Sequence, residues 1–187
     1  MNRINKVGIF FATGYEEIEA LTVVDLLRRE DIDITMISIT GNQTVKGSHQ
    51  IAVEMDCLLE KVDFSQLDML VLPGGGEGTR GLEACEALMQ QVDTFYQAGK
   101  YICAICAAPS ILGHRGMLNG RRACSYPAFE DQLEGAQVQQ MQAVVDGNVI
   151  TGRGMGCSIP FALAIVEQIK GAEAAKQLAE KIVYTKS

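Results

Sequence analysis

One cysteine in this chain stands where a nucleophile would. The run Ala104-Ile105-Cys106-Ala107-Ala108-Pro109 puts a thiol at the end of an apolar, strand-like stretch, with two small residues behind it. A strand that turns sharply into a helix at a nucleophile needs small neighbours so that the turn can close. A thiol so placed faces the positive end of a helix dipole, which favours the thiolate, the form that attacks carbonyl carbon or peroxide oxygen. The same run contains Cys103-x-x-Cys106, but residues three apart on a strand point to opposite faces. No second C-x-x-C completes a zinc site. Cys103 is therefore expected in the core, and no metal is expected.

Three further stretches carry residues of chemical interest. Pro73-Gly74-Gly75-Gly76 follows the apolar run Met69–Leu72. Glycines at such a place let backbone N–H groups face a ligand. The overlapping Gly76-Glu77-Gly78-Thr79-Arg80-Gly81 fits G-x-G-x-x-G, but the next predicted strand ends in Cys106 and not in the acid that a dinucleotide ribose needs. The glycines, Gly75 and Gly76 foremost, read as oxyanion donors. Gly14-Tyr15-Glu16-Glu17-Ile18-Glu19-Ala20 opens a helix. Glu16 and Glu17 read as ordinary partners of the helix dipole. Glu19 falls on the apolar side, where burial raises a carboxyl's pKa, and it is placed to give a proton to the thiol or its oxidised forms. Thr151–Ser158 shapes a glycine loop whose Arg153 anchors a carboxylate or braces the fold. The two histidines, His49 and His114, are remote in sequence from Cys106. A Cys–His dyad is not written in the chain, which argues against a protease.

These residues need a scaffold that gathers them. Lys6–Ala12, Ile34–Ile39, Met69–Leu72 and Tyr101–Ile105 read as buried strands. Glu16–Glu30, Glu86–Ala98, Ala107–His114, Ser158–Lys170 and Ala172–Lys181 read as helices from their apolar spacing. Thr44–Met55 has hairpin character around Gly47 and is expected outside the main sheet. Arg122–Ser125 reads as a short strand, and Ala143–Asp146 and Asn148–Thr151 flank the turn signal Asp146-Gly147. Alternation of uninterrupted apolar strands with helices predicts an α/β fold, a parallel sheet covered on both faces. Chemistry in such sheets lies beyond the carboxyl ends of the strands. The informative ends are Ala12–Glu19, Pro73–Gly78, Cys106–Pro109 and Arg153–Cys157. No linker, repeat or low-complexity stretch divides residues 1–187, so a single domain is expected.

Composition removes several classes. Lys plus Arg is 16 against 23 Asp plus Glu, a net charge of −7, so no basic patch is available to neutralise nucleic-acid phosphates. No apolar run approaches the ~20 residues that span a bilayer. The start MNRINKVGIF lacks the apolar stretch of a secretory leader. Six cysteines are too sparse for a disulfide scaffold in a chain of this length. The cytoplasm is the expected compartment.

Taken together, GYEEIEA, LPGGG, AICAAP, Ser125-Tyr126-Pro127 and RGMGCSIPFALAIVEQI resemble the ThiJ/PfpI superfamily. They are most similar to the branch of the parkinsonism-associated protein and its bacterial relatives, which are named thiazole-monophosphate biosynthesis proteins or protein deglycases. The resemblance runs from the first strand to the helix near Ser158. It implies a flavodoxin-like (class I glutamine amidotransferase-like) sandwich that forms a homodimer and uses no cofactor. It implies Cys106 as the oxidation-prone cysteine, Glu19 as its hydrogen-bonding partner, and Gly75 and Ala107 as backbone donors. The protease branch has His directly after its cysteine, where Ala107 stands here. Several relatives place His where Tyr126 stands, and a phenol is a poorer base than imidazole at neutral pH. The usual Gly-Pro-Gly-Thr loop reads Gly154-Met155-Gly156-Cys157, so Cys157 is either a packing residue or a resolving thiol.

Two functions follow as expectations. In the first, Cys106 and Glu19 act on methylglyoxal, another small carbonyl compound, or a glycated protein or nucleotide, with Tyr126, Arg153 and Cys157 lining the site. In the second, Cys106 oxidation makes the protein a redox sensor or redox-regulated chaperone in oxidative stress. An amidotransferase-like hydrolase is a third reading, for which His49 and His114 are poorly placed.

Overall fold

Apolar runs without polar interruption are stable only when both of their faces are covered, and the chain meets that demand by alternating them with helices. The structure, a computed structural model, describes residues 6–185. In chain order the elements are β1 (Lys6–Phe11), α1 (Glu17–Arg29), β2 (Asp33–Ser38), β3 (Thr44–Lys46), β4 (Ala52–Glu54), β5 (Cys57–Leu58), β6 (Met69–Leu72), α2 (Gly76–Ala84), α3 (Glu86–Gln97), β7 (Tyr101–Ile105), α4 (Pro109–His114), β8 (Arg122–Ala123), β9 (Gln137–Val138), β10 (Ala143–Asp146), β11 (Val149–Gly152), α5 (Ser158–Lys170) and α6 (Ala172–Lys181). Residues 1–5, on which the reading of the N-terminus partly rests, lie outside the described residues.

The main sheet has seven strands in the order β10-β11-β7-β6-β1-β2-β5. All neighbours are parallel except the β10–β11 hairpin at one edge. The fold is thus the flavodoxin-like α/β sandwich with a mostly parallel sheet. Alternation along β1 separates two cores. Val7, Ile9 and Phe11 pack with Leu27 of α1, Phe161 and Val166 of α5 and Leu178 of α6. Phe10 faces the other layer with Leu82 of α2, Val92 and Phe95 of α3 and Ile111 of α4. The separate β3–β4 hairpin lies outside the main sheet, as its sequence predicts.

Several elements differ from the sequence expectation. Gly76–Ala84, where the sequence pattern predicts no element, forms helix α2. Gly78 is needed because the first turn lies against the chain after β1: a Cβ on it would stand 2.7 Å from Tyr15 Cα. Buried Leu82 helps to offset the helix penalty of glycine, about 1 kcal/mol each. The helix after Cys106 begins at Pro109, not Ala107, because Ala107 and Ala108 are used in the turn. Arg122–Ser125 contributes only β8, which pairs with β9 in a two-stranded sheet of its own. Among the described residues no helix is long and apolar enough to cross a membrane.

Parallel strands place their carboxyl ends on one edge. The loops after β1, β6, β7 and β11 therefore meet there, and β1 and β6, where the connections diverge, mark the switch point of the sheet.

Candidate active site

The turn after β7 is strained at one residue. Cys106 has φ 65°, a left-handed conformation that costs a side-chain-bearing residue ~1–2 kcal/mol. Three backbone bonds hold it. The Cys106 N–H donates to Gly152 O at 3.0 Å, the Tyr126 N–H to Cys106 O at 2.9 Å, and the Ala108 N–H to Ile105 O at 3.1 Å. Ala107 and Ala108 are buried, and larger side chains there would force the turn open. Cys106 remains partly exposed, while Cys103, three residues earlier, is sealed in the core.

Glu19 reaches this turn from the first strand–helix junction. Glu16 caps α1 by accepting the Ile18 N–H at 3.3 Å, which starts the helix and turns Glu19 inward. Its carboxyl is fully buried. Oε2 accepts the Gly74 N–H at 3.0 Å, and Oε1 has no hydrogen-bond partner of standard geometry. Gly74 is the spacer between acid and thiol: a Cβ on it would stand 2.3 Å from Glu19 Oε2 and 2.5 Å from Cys106 Cβ. Gly75 has φ 92° and lies so tightly under the first loop that a Cβ would meet Gly14 O at 2.4 Å. Both features demand glycine.

The electrostatics of the pair follow from burial. Desolvation pushes the Glu19 carboxyl up to about 7; the thiol of Cys106 pulls it down, the Glu16 charge pushes it up, and the Gly74 N–H pulls it down. Burial, then the charge of Glu19, then its contact with sulfur push the thiol up to about 12, against which the N–H groups of Gly75 and Ala107 act as donors to sulfur. This corrects the expectation that a helix dipole ionises the thiol. The helix α4 starts three residues later and is only six residues long, so its dipole is small and distant. The groups that favour sulfur's negative charge are two peptide N–H groups, and desolvation together with Glu19 outweighs them while Glu19 is ionised.

The remaining candidates divide. Gly76 starts α2 with the Arg80 guanidinium 3.8 Å from where a Cβ would be, and the backbone groups that favour charge on the sulfur are those of Gly75 and Ala107. Tyr126 anchors the turn through its backbone, and its ring is half exposed beside Gly154. Arg153 pairs with Glu130 at 3.3 Å. Cys157 stands at the N-cap position of α5 without a side-chain capping bond; burial pushes its thiol up, nearby Arg153 and the Gly154 backbone pull it down, and the Glu19 charge pushes it up, which places it within electrostatic reach of the acid. His114 pairs with Glu83 at 2.7 Å, away from the thiol.

Two features escaped the sequence reading. Gly74 is one, since a run of glycines does not reveal which member separates two reacting groups. The other is the cluster Glu17–Ser48–His49. Glu17 is buried rather than an exposed dipole partner. Burial pushes its pKa up, but hydrogen bonds from the His49 ring, the helix backbone, the His49 N–H and Ser48 outweigh that and hold it down at about 2. Glu16, Glu17 and His49 each bring one possible metal-ligand atom within 4.8 Å of the others; the Ser48 hydroxyl already hydrogen-bonds both carboxylates, and the His49 ring bonds Glu17 and lies 3.6 Å from Glu16. The available signal was a Ser-His pair at a predicted hairpin tip and a second acid beside a helix cap.

Comparison with known proteins agrees with this fold. The model of the DJ-1/PfpI family matches residues 5–168, and the chain belongs to that family. It is 37% identical over 164 residues to protein DJ-1 homolog A of Arabidopsis thaliana, covering 87% of this chain but 42% of that longer protein. It is 32% identical over 150 residues to deglycase PH1704 of Pyrococcus horikoshii, covering 79% of this chain and 89% of that one. The solved structure of oxidised Toxoplasma gondii DJ-1 superposes with a TM-score of 0.92 at 32% identity, over 97% of this chain and 99% of that one.

Proposed function

We propose that the protein is a cofactor-independent enzyme of glyoxalase or deglycase type, with Cys106 as nucleophile and methylglyoxal or its adducts as substrate. The observation that carries this reading is the convergence of two peptide N–H donors and one carboxyl that keeps its proton near neutrality on a single, partly exposed sulfur. A protonated Glu19 has no charge to repel sulfur and becomes a donor to it. The states Glu19-COOH/Cys106-S⁻ and Glu19-COO⁻/Cys106-SH hold the same charge and the same proton; burial of the sulfur makes the second the resting form, and the N–H groups of Gly75 and Ala107 act toward the first, the minor reactive form.

The thiolate attacks the aldehyde carbon, and the carbonyl electron pair moves onto oxygen, held by Gly75 and Ala107. Glu19 gives that oxygen its proton. As a carboxylate it then takes the hydrogen from the same carbon and returns it to the adjacent carbon, while the hydroxyl proton passes to the adjacent oxygen. The product is a lactate thioester, which water cleaves to lactate and the free thiol. With adducts, the carbon–nitrogen or carbon–sulfur bond breaks first: the adduct's hydroxyl becomes the aldehyde carbonyl, its proton goes to the departing amine or thiol, and Cys106 then takes the freed aldehyde. Glu19 carries the proton transfers because Tyr126 stands where relatives place His. The relative named as a deglycase supports the same class. Incubation with methylglyoxal should yield lactate, and Cys106→Ala should yield none; equal lactate from both proteins overturns the reading.

The exposure contrast between Cys106 and Cys103 favours a second reading, a peroxide sensor. The thiolate takes an oxygen from peroxide with release of water, giving sulfenic acid, and a second peroxide gives sulfinic acid, to which a protonated Glu19 donates. Mass spectrometry after mild peroxide should find Cys106 oxidised before Cys85, and equal rates at the two sites overturn it.

A second copy of the chain is the proposed partner. A groove of about 440 Å³ on α1, lined by Ile18, Leu21, Leu26, Ile159 and Ile182, supports it, and Ile18 is 52% exposed there. Sedimentation should show a dimer that Ile18→Glu dissociates. All six cysteines are free, which fits a reducing compartment such as the cytoplasm.

A further inference from the structure

We propose that Glu17 is a positioning residue: its buried carboxylate straps the β3–β4 hairpin across the loop Gly14–Glu16, and the strapped loop holds the Gly75 N–H on the Cys106 sulfur. The proposal rests on the reading of Cys106 as the reactive group.

The strap begins with three bonds. Glu17, whose side chain is 3% exposed, accepts the His49 N–H on Oε1 at 2.7 Å. On Oε2 it accepts the Ser48 hydroxyl at 3.1 Å and meets His49 Nδ1 at 3.1 Å. These groups come from the hairpin tip, more than thirty residues away in sequence. A buried carboxylate deprived of such donors is costly, so tip and helix stay together. Gly47 makes the approach possible, because a Cβ there would stand 2.3 Å from the Glu17 carboxyl.

The same tip clamps the loop that precedes Glu17. The Gly14 N–H donates to Lys46 O at 2.9 Å and the Ser48 N–H to Tyr15 O at 2.8 Å. The clamped loop then touches the glycines of the site. The Glu16 N–H donates to Gly74 O at 2.9 Å, and Gly14 O accepts the Gly78 N–H at 3.2 Å. Gly75 is pressed beneath it, with Gly14 O and Glu16 N closer than 3 Å to where a Cβ would be. The peptide plane of Gly75, and with it the direction of its N–H, is set by this loop. Glu17 touches neither sulfur nor Glu19's proton and acts only through the loop.

The test is the pH dependence of Cys106 alkylation by iodoacetamide, followed at that cysteine by peptide mass spectrometry. Glu17→Ala should slow alkylation at pH 7 roughly tenfold, one pKa unit upward, because sulfur loses a donor. Gly47→Ala leaves every polar group in place but displaces the Glu17 carboxyl, and should shift the profile in the same direction. Glu17→Gln, whose amide oxygen still accepts the His49 N–H, should recover part of the loss. If folded Glu17→Ala or Gly47→Ala melts earlier yet keeps the wild-type profile, Glu17 is structural only and the proposal falls. Gly47→Ala decides alone if Glu17→Ala does not fold. No methylglyoxal is used, so an unshifted profile overturns the strap and leaves the enzymatic reading standing. Absence of lactate production overturns that reading and leaves the strap. A wild-type Cys106 that titrates like free cysteine overturns both.

Discussion

Glu17 and Glu19 are two residues apart on one helix, both buried, and titrate in opposite directions. Burial raises both. Glu17 is met by His49 and Ser48 and is held down at about 2. Glu19 is met by one peptide N–H and a thiol and stays up at about 7. The difference teaches that depth does not decide the role of a buried acid; the number of donors aimed at it does. The well-supplied carboxylate becomes a structural anchor, and the starved one keeps a proton to lend.

The sharpest way to break this contrast is chemical. Glu19→Gln should lower lactate formation by about 10²–10⁴-fold, the usual size of a lost acid–base group, while Glu17→Gln, which keeps one acceptor, should lower it far less. Initial rates of the two variants at pH 7 check this, and equal losses would mean that the acids do not differ in role.

Stability against pH separates them next. Glu19 has a raised folded pKa, so the folded state holds its proton more tightly, and stability from this group falls as pH rises from about 4.5 to about 7, by about 3 kcal/mol. Glu17 has a lowered folded pKa. Its contribution, also about 3 kcal/mol, is present above about 4.5 and is lost as pH falls towards about 2. Urea denaturation of Glu19→Gln should lack the loss between pH 4.5 and 7, and Glu17→Gln should lack the loss on the acid side. The same slope in both variants as in the wild type would sink the assignment.

Gly75 sharpens the link between the two acids. Gly75→Ala should destabilise the protein by at least about 2 kcal/mol, since alanine at positive φ is strained even before the clash with Gly14 O. It should also slow Cys106 alkylation, which a purely packing defect would not do. The smallest effect is expected at Cys157→Ser. Its thiol responds to Arg153 and Glu19, so Cys106 alkylation should stay within about twofold of wild type; a larger change would show that Cys157 tunes the Cys106 sulfur.

Much of the scaffold is readable from the chain because it depends on short-range pattern. Uninterrupted apolar runs such as Met69–Leu72 and the helical spacing of Leu21, Val24 and Leu27 place β6 and α1 without tertiary information. Asp146-Gly147 marks the β10–β11 turn for the same reason. The sequence also singled out Cys106 and Glu19, through small residues after a strand and an acid on an apolar helix face.

Local pattern says nothing about partners that arrive from elsewhere. Helix α2 was hidden because glycine is a poor helix former in isolation, and only the close approach of Tyr15 makes it the right residue. A helix after Cys106 is visible in sequence, whereas the Glu19 charge and the desolvation that raise the thiol appear only when β1 and β7 share an edge. Glu17 and Glu19 are indistinguishable as letters in GYEEIEA. Their protonation is set by donors, and the donors of one of them, Ser48 and His49, are brought in by a hairpin whose position only the folded chain defines.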